Sequence, residues 1–168
     1  SRAKRGISCH QLLRCEEIPR CARNDGGRSM IVAIRQIEVE WGHCDPAGIV
    51  FNPRFFEWFD HCTAGLFAHV GLRKHEMVTA FDFVGFPLVE SRAKFLRPAK
   101  FGDIVVIESS IAEFRRSSFD VIHRLLNGGE LAVEGFETRV WSGRHPDDPH
   151  RLKSQPIPEA VIAKFRDG

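Results

Sequence analysis

The sequence lacks any long apolar run: no uninterrupted stretch approaches the roughly 18 residues that a membrane-spanning helix requires. It also lacks a strong net charge, because 24 basic and 22 acidic side chains leave only +2, which is too little to indicate a nucleic-acid partner. Hydrophobic residues make up 43% of the 168 residues and charged residues 27%, which excludes collagen-like, low-complexity and wholly disordered chains. We therefore expect one folded domain, without a membrane or nucleic-acid partner.

The five cysteines include none of the Cys-x-x-Cys pairs that are typical of zinc sites. Three of them, Cys9, Cys15 and Cys21, are regularly spaced with only His10 nearby, so we expect no metal site. An odd number of cysteines and no hydrophobic signal segment favour a reducing compartment. We predict a cytoplasmic location.

The first thirty residues differ from the rest of the chain in charge and in aromatic content. They carry seven basic and three acidic side chains, a net charge of +4, whereas the remaining 138 residues carry −2. All 14 phenylalanines and all three tryptophans lie after residue 40, so these thirty residues contribute little to a core. We predict a basic, disordered extension over residues 1–29 and a folded domain over residues 30–168, and we expect the functional chain to begin near Met30.

Two clear patterns follow this extension. Residues 31–41 alternate between apolar and polar side chains, which predicts a half-buried strand. Residues 53–72 are apolar at intervals of three and four, which predicts a long helix covered by protein around most of its circumference. Asn52 is typical of an N-cap, Pro53 of the first helical position, and Gly71 of the position just past the last turn.

Four further strands are predicted by alternating patterns, over residues 87–97, 103–115, 118–126 and 130–141. Asn127, Gly128 and Gly129 indicate a tight hairpin turn between the last two. We interpret residues 142–156 as a loop and residues 158–165 as a short terminal helix. Short connections make the sheet antiparallel, and only one long helix is available to cover its apolar face. The predicted class is α+β, a curved antiparallel sheet of about five strands wrapped around one long helix.

The loop between the first strand and the helix contains the residues best suited to catalysis. Asp45 lies where Pro46 and Gly48 constrain the backbone, and the helix N-terminus that follows presents free N–H groups with partial positive charge. Such groups can stabilise a developing oxyanion; Pro53 has no N–H, so the N–H of Asn52 is the better donor. A carboxylate beside such donors suits acyl transfer, as a general base or as a nucleophile. Taken alone, Asp45 has the alternative interpretation of an ordinary turn residue before proline.

This loop also carries a family resemblance. The segment Trp-Gly-His-Cys-Asp-Pro-Ala-Gly-Ile-Val spans residues 41–50 and is followed by Asn52-Pro53, Trp58 and Asp60. It resembles the 4-hydroxybenzoyl-CoA thioesterases of the Pseudomonas type. The resemblance covers roughly residues 31–165 and continues through further matching segments at 85–89, 113–119 and 139–141. It implies the hotdog fold of that family, in which a curved antiparallel sheet wraps a long helix.

The resemblance implies roles for three residues of the loop. Asp45 would be the catalytic carboxylate that attacks the thioester carbonyl or activates water. The backbone N–H of Asn52 would polarise the carbonyl; the family has tyrosine at this position, which matters little if only the backbone acts. Gly48 would contact the acyl substrate.

The resemblance also implies roles for residues outside the loop. Asp60 matches a family aspartate that lies near the acyl group across a dimer interface. His75 stands where the family enzyme has an acyl-pocket tryptophan, so we assign it to substrate binding. The pair Arg115 and Arg116 matches basic residues that hold the CoA phosphates. The family further implies a homotetramer, a dimer of dimers, that works without metal or cofactor.

The predicted function is hydrolysis of an acyl-CoA to a free acid and CoA, with 4-hydroxybenzoyl-CoA or a related aromatic acyl-CoA as the expected substrate. Three alternatives stay open: a thioesterase for short aliphatic acyl-CoA, a non-catalytic acyl-CoA-binding hotdog module, and a hotdog dehydratase. The dehydratase is disfavoured because its chemistry usually needs a histidine where Asp45 stands. General-base and mixed-anhydride chemistry both remain open.

Overall fold

The computed structural model describes residues 31–166, so the extension predicted over residues 1–29 lies outside the described residues. Five strands form one antiparallel sheet in the spatial order β1-β3-β4-β5-β2. They are β1 (Ala33–Glu38), β2 (Leu88–Phe95), β3 (Ile104–Phe114), β4 (Ser118–Asn127) and β5 (Glu130–Val140). The predicted α+β class and the five predicted strands are confirmed.

The hairpin between β4 and β5 turns through Gly128 and Gly129. Their φ angles are 60° and 83°, a backbone region that residues with a Cβ rarely adopt. Two successive positive φ angles match the right-handed twist of the flanking strands, which is why a Gly-Gly pair predicts a tight turn here. This prediction is confirmed.

The long helix α1 (Asn52–His69) packs one face on the sheet. Its buried side chains recur at intervals of three and four residues: Phe55, Trp58, Phe59, Cys62, Thr63, Leu66 and Phe67. Its other face, which includes Glu57, Asp60 and Ala64, is exposed. The expectation that protein covers most of the helix circumference is therefore wrong for the single chain, because one sheet covers only one side of a helix.

The ends of α1 lie within one residue of the predicted ones. Asn52 is the first helical residue and not the cap; the cap position is held by Phe51, which offers no side-chain acceptor. Pro53 is therefore the second helical residue, where it is equally well tolerated because an N–H there has no intrahelical partner. At the other end, Gly71 has a φ of 78° and ends the helix as predicted.

The remaining elements of residues 31–166 are short. They are a 3-10 helix (Trp41–His43), α2 (Lys74–Ala80), a hairpin of β6 (Ser142–His145) and β7 (Asp148–Ser154), and α3 (Glu159–Lys164). The terminal helix is confirmed, but the loop predicted over residues 142–156 is wrong. The hairpin is short and polar, so it lacks the alternating apolar pattern, and Pro146 lies in its turn without interrupting a strand. None of the helices in residues 31–166 is long and apolar enough to cross a membrane.

The core consists of two apolar clusters along α1. The first surrounds Phe55 and Phe59 near the beginning of the helix and includes Val105, Leu125 and Val133 from the sheet. The second surrounds Phe67 near the end of the helix and includes Phe119, Val121, Trp141 and the α3 residue Val161. Buried polar side chains lie between the two clusters along α1, β3 and β4.

Candidate active site

Asp45 lies in a tightly closed loop directly before α1. The N–H of Ala47 donates to its carboxylate oxygen Oδ1 at 2.8 Å, and the N–H of Gly48 donates to its carbonyl at 2.9 Å. The N–H of Asp45 in turn donates to the carbonyl of Ile49 at 2.9 Å. Gly48 has a φ of 75°, a left-handed backbone conformation that glycine adopts without steric cost. The turn thus fixes a half-buried carboxylate by local backbone contacts alone.

The loop is also anchored to its neighbours. The N–H of Val50 donates to the carbonyl of Ala99 at 2.9 Å, and the N–H of Phe51 donates to the carbonyl of His43 at 2.9 Å. The first bond joins the loop to the connection between β2 and β3, and the second closes the base of the loop. Asp45 is therefore carried by a rigid segment that leads straight into the helix.

The beginning of α1 presents a free backbone donor. The N–H of Arg54 already donates to the carbonyl of Phe51 at 2.9 Å, and Pro53 has no N–H. Within residues 31–166, no acceptor takes the N–H of Asn52. This N–H lies at the positive end of a helix of 18 residues, where partial negative charge is stabilised. It is therefore suited to hold an oxygen on which negative charge develops.

A pocket of about 260 Å³ opens beside this helix end. Asn52 forms part of its wall, and most of the remaining wall is apolar: Ile49, Val50, Phe55, Phe95, Leu96, Pro98 and Ala99, with Arg97 as the one charged residue. Asp45 does not line this pocket. The loop, the Asn52 N–H and the pocket together form a site that can take an apolar group next to an oxyanion donor.

Asp60 lies further along α1, eight residues after Asn52, which corresponds to about 12 Å along the helix axis. Its side chain is 64% exposed, and its Oδ1 lies 2.8 Å from Nη2 of Arg139, whose side chain is only 5% exposed. The structure thus does not place Asp60 at the helix beginning of its own chain. It pairs Asp60 with a buried cation instead.

Arg139 belongs to a layer of five buried polar side chains that separates the two apolar clusters. The members of this polar layer are Thr63 from α1, Ser109 from β3, His123 from β4, and Glu137 and Arg139 from β5. On α1, β3 and β4 the polar residue lies between residues of the first cluster and residues of the second. The layer is therefore part of the core. Among the described residues, Asp60 is the one exposed side chain that contacts it.

Glu137 is the centre of the polar layer. Its Oε2 accepts from the Thr63 hydroxyl at 2.8 Å and from Nε of Arg139 at 2.9 Å, and its Oε1 accepts from Nη2 of Arg139 at 3.0 Å. Nε2 of His123 lies 3.4 Å from Oε2, and Nδ1 of His123 lies 2.8 Å from the Ser109 hydroxyl. Because a carboxylate only accepts, we assign the ring proton to Nε2.

Burial and these contacts shift the pKa values of three side chains in and beside the layer. Burial alone would raise the pKa of Glu137, but hydrogen bonds from His123 and Arg139 and the charge of Arg139 lower it to about 2. Burial would lower the pKa of Arg139, but Glu137 and Asp60 outweigh it and raise the pKa. Burial raises the pKa of the neighbouring Cys62 thiol to about 11, so Cys62 stays protonated and is no candidate nucleophile.

The two predicted phosphate ligands differ in their surroundings at the β3–β4 turn. The guanidinium of Arg115 donates to Asp120 at 2.5 and 2.8 Å and to Glu113 at 2.6 Å, and these bonds raise the pKa of Arg115. Arg116 is exposed and forms no ion pair with another residue of the described part of the chain. Arg116 is consequently the freer of the two to bind an external anion.

His75 takes part in none of the contacts described so far. It lies in the first turn of α2 with its side chain 76% exposed, and Nε2 is 3.7 Å from Oε1 of the adjacent Glu76. It does not line the pocket beside Asn52. In the single chain, Asp45, Gly48 and Asn52 therefore come together, whereas Asp60, His75 and the arginine pair each lie elsewhere.

The polar layer is the feature that the sequence patterns do not predict. One signal is present: His123, Glu137 and Arg139 occupy positions of β4 and β5 that alternate in step with buried residues such as Val121 and Leu125. A charged or ionisable side chain at an inward position of a strand must be paired. The sequence does not tell which partners meet. No three His, Cys, Asp or Glu side chains of residues 31–166 lie together as a metal site would require.

Known proteins are similar to this chain over the folded region described above. The profile of the thioesterase-like superfamily matches residues 39–165. A 4-hydroxybenzoyl-CoA thioesterase from Pseudomonas sp. (strain CBS-3) is 35% identical over 133 residues, which make up 76% of this chain and 92% of that protein.

Solved structures of two thioesterases are similar in fold and sequence. The first is an X-ray structure of a 4-hydroxybenzoyl-CoA thioesterase mutant in complex with 4-hydroxybenzoyl-CoA; the TM-score is 0.74 at 31% identity, over 80% of this chain and 98% of that chain. The second is a gentisyl-coenzyme A thioesterase, with a TM-score of 0.68 at 31% identity, over 79% of this chain and 99% of that chain.

Proposed function

The chain belongs to the thioesterase-like superfamily, and from this membership we propose that it hydrolyses an acyl-CoA thioester to a free acid and CoA. The predicted family and its hotdog fold are thereby confirmed. The observation that carries the proposal is the closed loop that holds Asp45 immediately before a helix whose first N–H, on Asn52, has no acceptor among the described residues.

The proposed chemistry takes place at the thioester carbonyl. The carbonyl oxygen accepts from the Asn52 N–H, and the N-terminal end of α1 stabilises the negative charge that appears there when the carbonyl carbon is attacked. With Asp45 as general base, water attacks while Asp45 takes its proton. With Asp45 as nucleophile, a mixed anhydride forms and water cleaves it later. In both routes the carbon–sulfur bond breaks and CoA leaves as a thiolate that is then protonated.

We propose 4-hydroxybenzoyl-CoA or a related aromatic acyl-CoA as the substrate. The 4-hydroxybenzoyl-CoA and gentisyl-coenzyme A thioesterases compared above, at 31–35% identity, are both named for aromatic acyl groups. The apolar pocket beside Asn52 supports an acyl group of this character. Gly48 would contact the acyl substrate and shape the loop at the carbonyl. Asp60 and His75 would contact the acyl group, and Arg115 and Arg116 would bind CoA phosphates. Arg116 would bind directly, because its guanidinium has no ion-pair partner among residues 31–166.

We further propose a homotetramer, a dimer of dimers, in which Asp60 reaches the site of a neighbouring copy. The support is the edge strand β2, which pairs only with β5 among the described strands. Its side chains include Leu88, Val89 and Phe95, and Val89 is 67% exposed. An unpaired apolar edge favours association with another strand. Light scattering at micromolar concentration should give an oligomeric mass; a monomer would contradict a shared site.

The function is tested with a panel of CoA esters and one variant. Purified protein should release thiol from 4-hydroxybenzoyl-CoA and other aromatic esters with higher kcat/KM than from acetyl-CoA, in a colorimetric thiol assay. Asp45→Asn should lower turnover at least about 100-fold, because it removes the base or nucleophile and leaves the fold intact.

The matched control is Asp147→Asn. Asp147 lies in the β6–β7 turn with its side chain 88% exposed, so its loss should leave turnover within a factor of two. Binding of CoA esters without thiol release would select the non-catalytic module. Near-normal turnover of Asp45→Asn on every ester that the parent cleaves would refute the role of Asp45.

A further inference from the structure

We infer that Arg139 is a positioning residue: it holds the carboxylate of Asp60 in the orientation in which Asp60 meets the acyl group of the substrate. The inference rests on the proposed function, since it concerns the same substrate, and it adds a buried residue that does not touch the substrate itself. It begins with the pairing of a largely exposed carboxylate with a buried guanidinium at 2.8 Å.

This pair differs from an ordinary surface salt bridge. Exposed ion pairs contribute little because two long, mobile side chains must be held in one geometry. Here the guanidinium of Arg139 is 5% exposed, and only the carboxylate side faces solvent. Oδ1 of Asp60 contacts Nη2 of Arg139, whereas most of the Asp60 side chain stays accessible to solvent. The exposed acid therefore has one preferred orientation.

Arg139 can fix Asp60 because its own guanidinium is held on all three nitrogens. Nε and Nη2 donate to the two oxygens of Glu137 at 2.9 and 3.0 Å, and Nη1 donates to the carbonyl of Phe86 at 3.4 Å. A bidentate contact with a carboxylate fixes the plane of the guanidinium as well as its position. A lysine could supply the charge at this place but not the plane.

The contacts then return to the helix that carries Asp60. Glu137 accepts from the hydroxyl of Thr63, which lies three residues after Asp60 on α1. Residues three apart on a helix lie on neighbouring parts of its surface. Asp60, Arg139, Glu137 and Thr63 thus form a closed set of contacts that joins β5 to α1 at two points. This set fixes the helix and the carboxylate relative to the sheet.

Stability alone does not explain this arrangement. Removing Glu137 and Arg139 from water is costly, and apolar residues of similar volume often fill such a place at least as well. The polar layer also interrupts a core that is apolar on both sides of it. Asp60 is the one exposed side chain of the described residues that contacts this layer. An apolar replacement of the layer would therefore lose the oriented carboxylate.

The test is a double-mutant cycle read out by ligand binding. Asp60→Asn, Arg139→Met and the combination are made in the Asp45→Asn background, so that turnover does not consume the ligand. Calorimetry measures the Kd for 4-hydroxybenzoyl-CoA and for CoA without an acyl group. Arg139→Met should raise the Kd of the ester about tenfold when Asp60 is present, which is the usual size of a lost contact to a charged group.

The discriminating result is the effect of Arg139→Met when Asp60 is already Asn. If Arg139 acts through Asp60, the ester Kd should then change less than about twofold, and the Kd of CoA should be unchanged throughout. An equal tenfold loss in both backgrounds, or an equal loss for CoA, would overturn the inference in favour of a purely structural role. If Arg139→Met does not fold, the same cycle is measured with Arg139→Lys, which keeps the charge and loses the bidentate contact.

Failure of the proposed function is seen separately. The parent protein with Asp45 intact is assayed for thiol release in parallel: binding of the ester without release refutes hydrolysis while the binding cycle still decides the role of Arg139. Absence of ester binding in every variant overturns the inference as well.

Discussion

Two carboxylates of this chain, those of Asp45 and Asp60, are held in opposite ways. Asp45 is fixed within a single turn by the N–H of Ala47 and by backbone bonds to Gly48 and Ile49. Asp60 is held through Arg139 by a polar layer whose members come from four different elements of the fold. The first arrangement is local along the chain, and the second exists only after the sheet and the helix have packed.

The difference predicts how each region responds to change. A substitution in the Asp45 loop should alter activity with little effect on the free energy of unfolding, because few core contacts depend on it. A substitution in the polar layer should lower the free energy of unfolding, because it leaves a buried charge or donor without its partner. Stability and activity measured side by side therefore separate the two regions.

The largest effect on the free energy of unfolding is expected at low pH. Glu137 has its pKa lowered to about 2 from an ordinary value of 4.5, so its ionisation stabilises the fold above pH 4.5, and this stabilisation is lost as the pH falls towards 2. The full contribution is about 3 kcal/mol, of which about 2 kcal/mol should be lost between pH 7 and pH 3. Urea denaturation at several pH values measures it.

The control for this acid effect is Glu137→Gln, which cannot ionise. Other carboxyl groups, including Asp120 with its lowered pKa, titrate in both proteins and cancel in the comparison. The parent should lose about 2 kcal/mol more than the variant over the same pH range. Parallel pH dependences would mean that Glu137 does not hold its charge in the core.

The next effect concerns the packing around the polar layer. A Cβ at Gly135 would lie 2.5 Å from the ring of Phe59, and that buried ring stacks on His123 with centroids 4.7 Å apart. Gly135→Ala should therefore cost about 1–3 kcal/mol through overpacking. Gly65→Ala is the matched control, since among the described residues no atom outside the adjoining helix backbone lies within 4 Å of its Cβ position. On the helix this substitution should be neutral or slightly stabilising. Equal stabilities of the two variants would contradict the tight contact.

The smallest effect on stability is expected from a substitution of Gly48 in the loop that holds Asp45. Gly48 has a φ of 75°, so Gly48→Ala should cost about 1 kcal/mol of folding free energy. Because the turn also sets the direction of Asp45, kcat should fall by about tenfold or more, out of proportion to that cost. Gly48→Asn, which tolerates a positive φ, should recover most of the loss. A loss of kcat no larger than that of Asp147→Asn would show that the turn does not position Asp45.

Much of the fold follows from patterns that are visible along the chain. The spacing of Phe55, Phe59 and Leu66 predicts α1, and the Gly128-Gly129 pair predicts the β4–β5 turn. The β6–β7 hairpin escapes prediction because short polar strands carry no apolar alternation. The coverage of α1 is overestimated from the sequence because an apolar stripe does not tell how wide a surface one sheet can bury.

The candidate site divides in the same way. Asp45, Gly48 and Asn52 lie within eight residues of one another, so turn preferences and helix-end chemistry alone suffice to bring them together. The polar layer needs the strand register: Ser109 stands opposite His123, and β5 places Glu137 and Arg139 against α1. Such pairings join residues up to 79 positions apart, as between Asp60 and Arg139. They are decided by how the sheet and the helix pack, because local preferences act over only a few residues, whereas the partner of a buried charge depends on the whole fold.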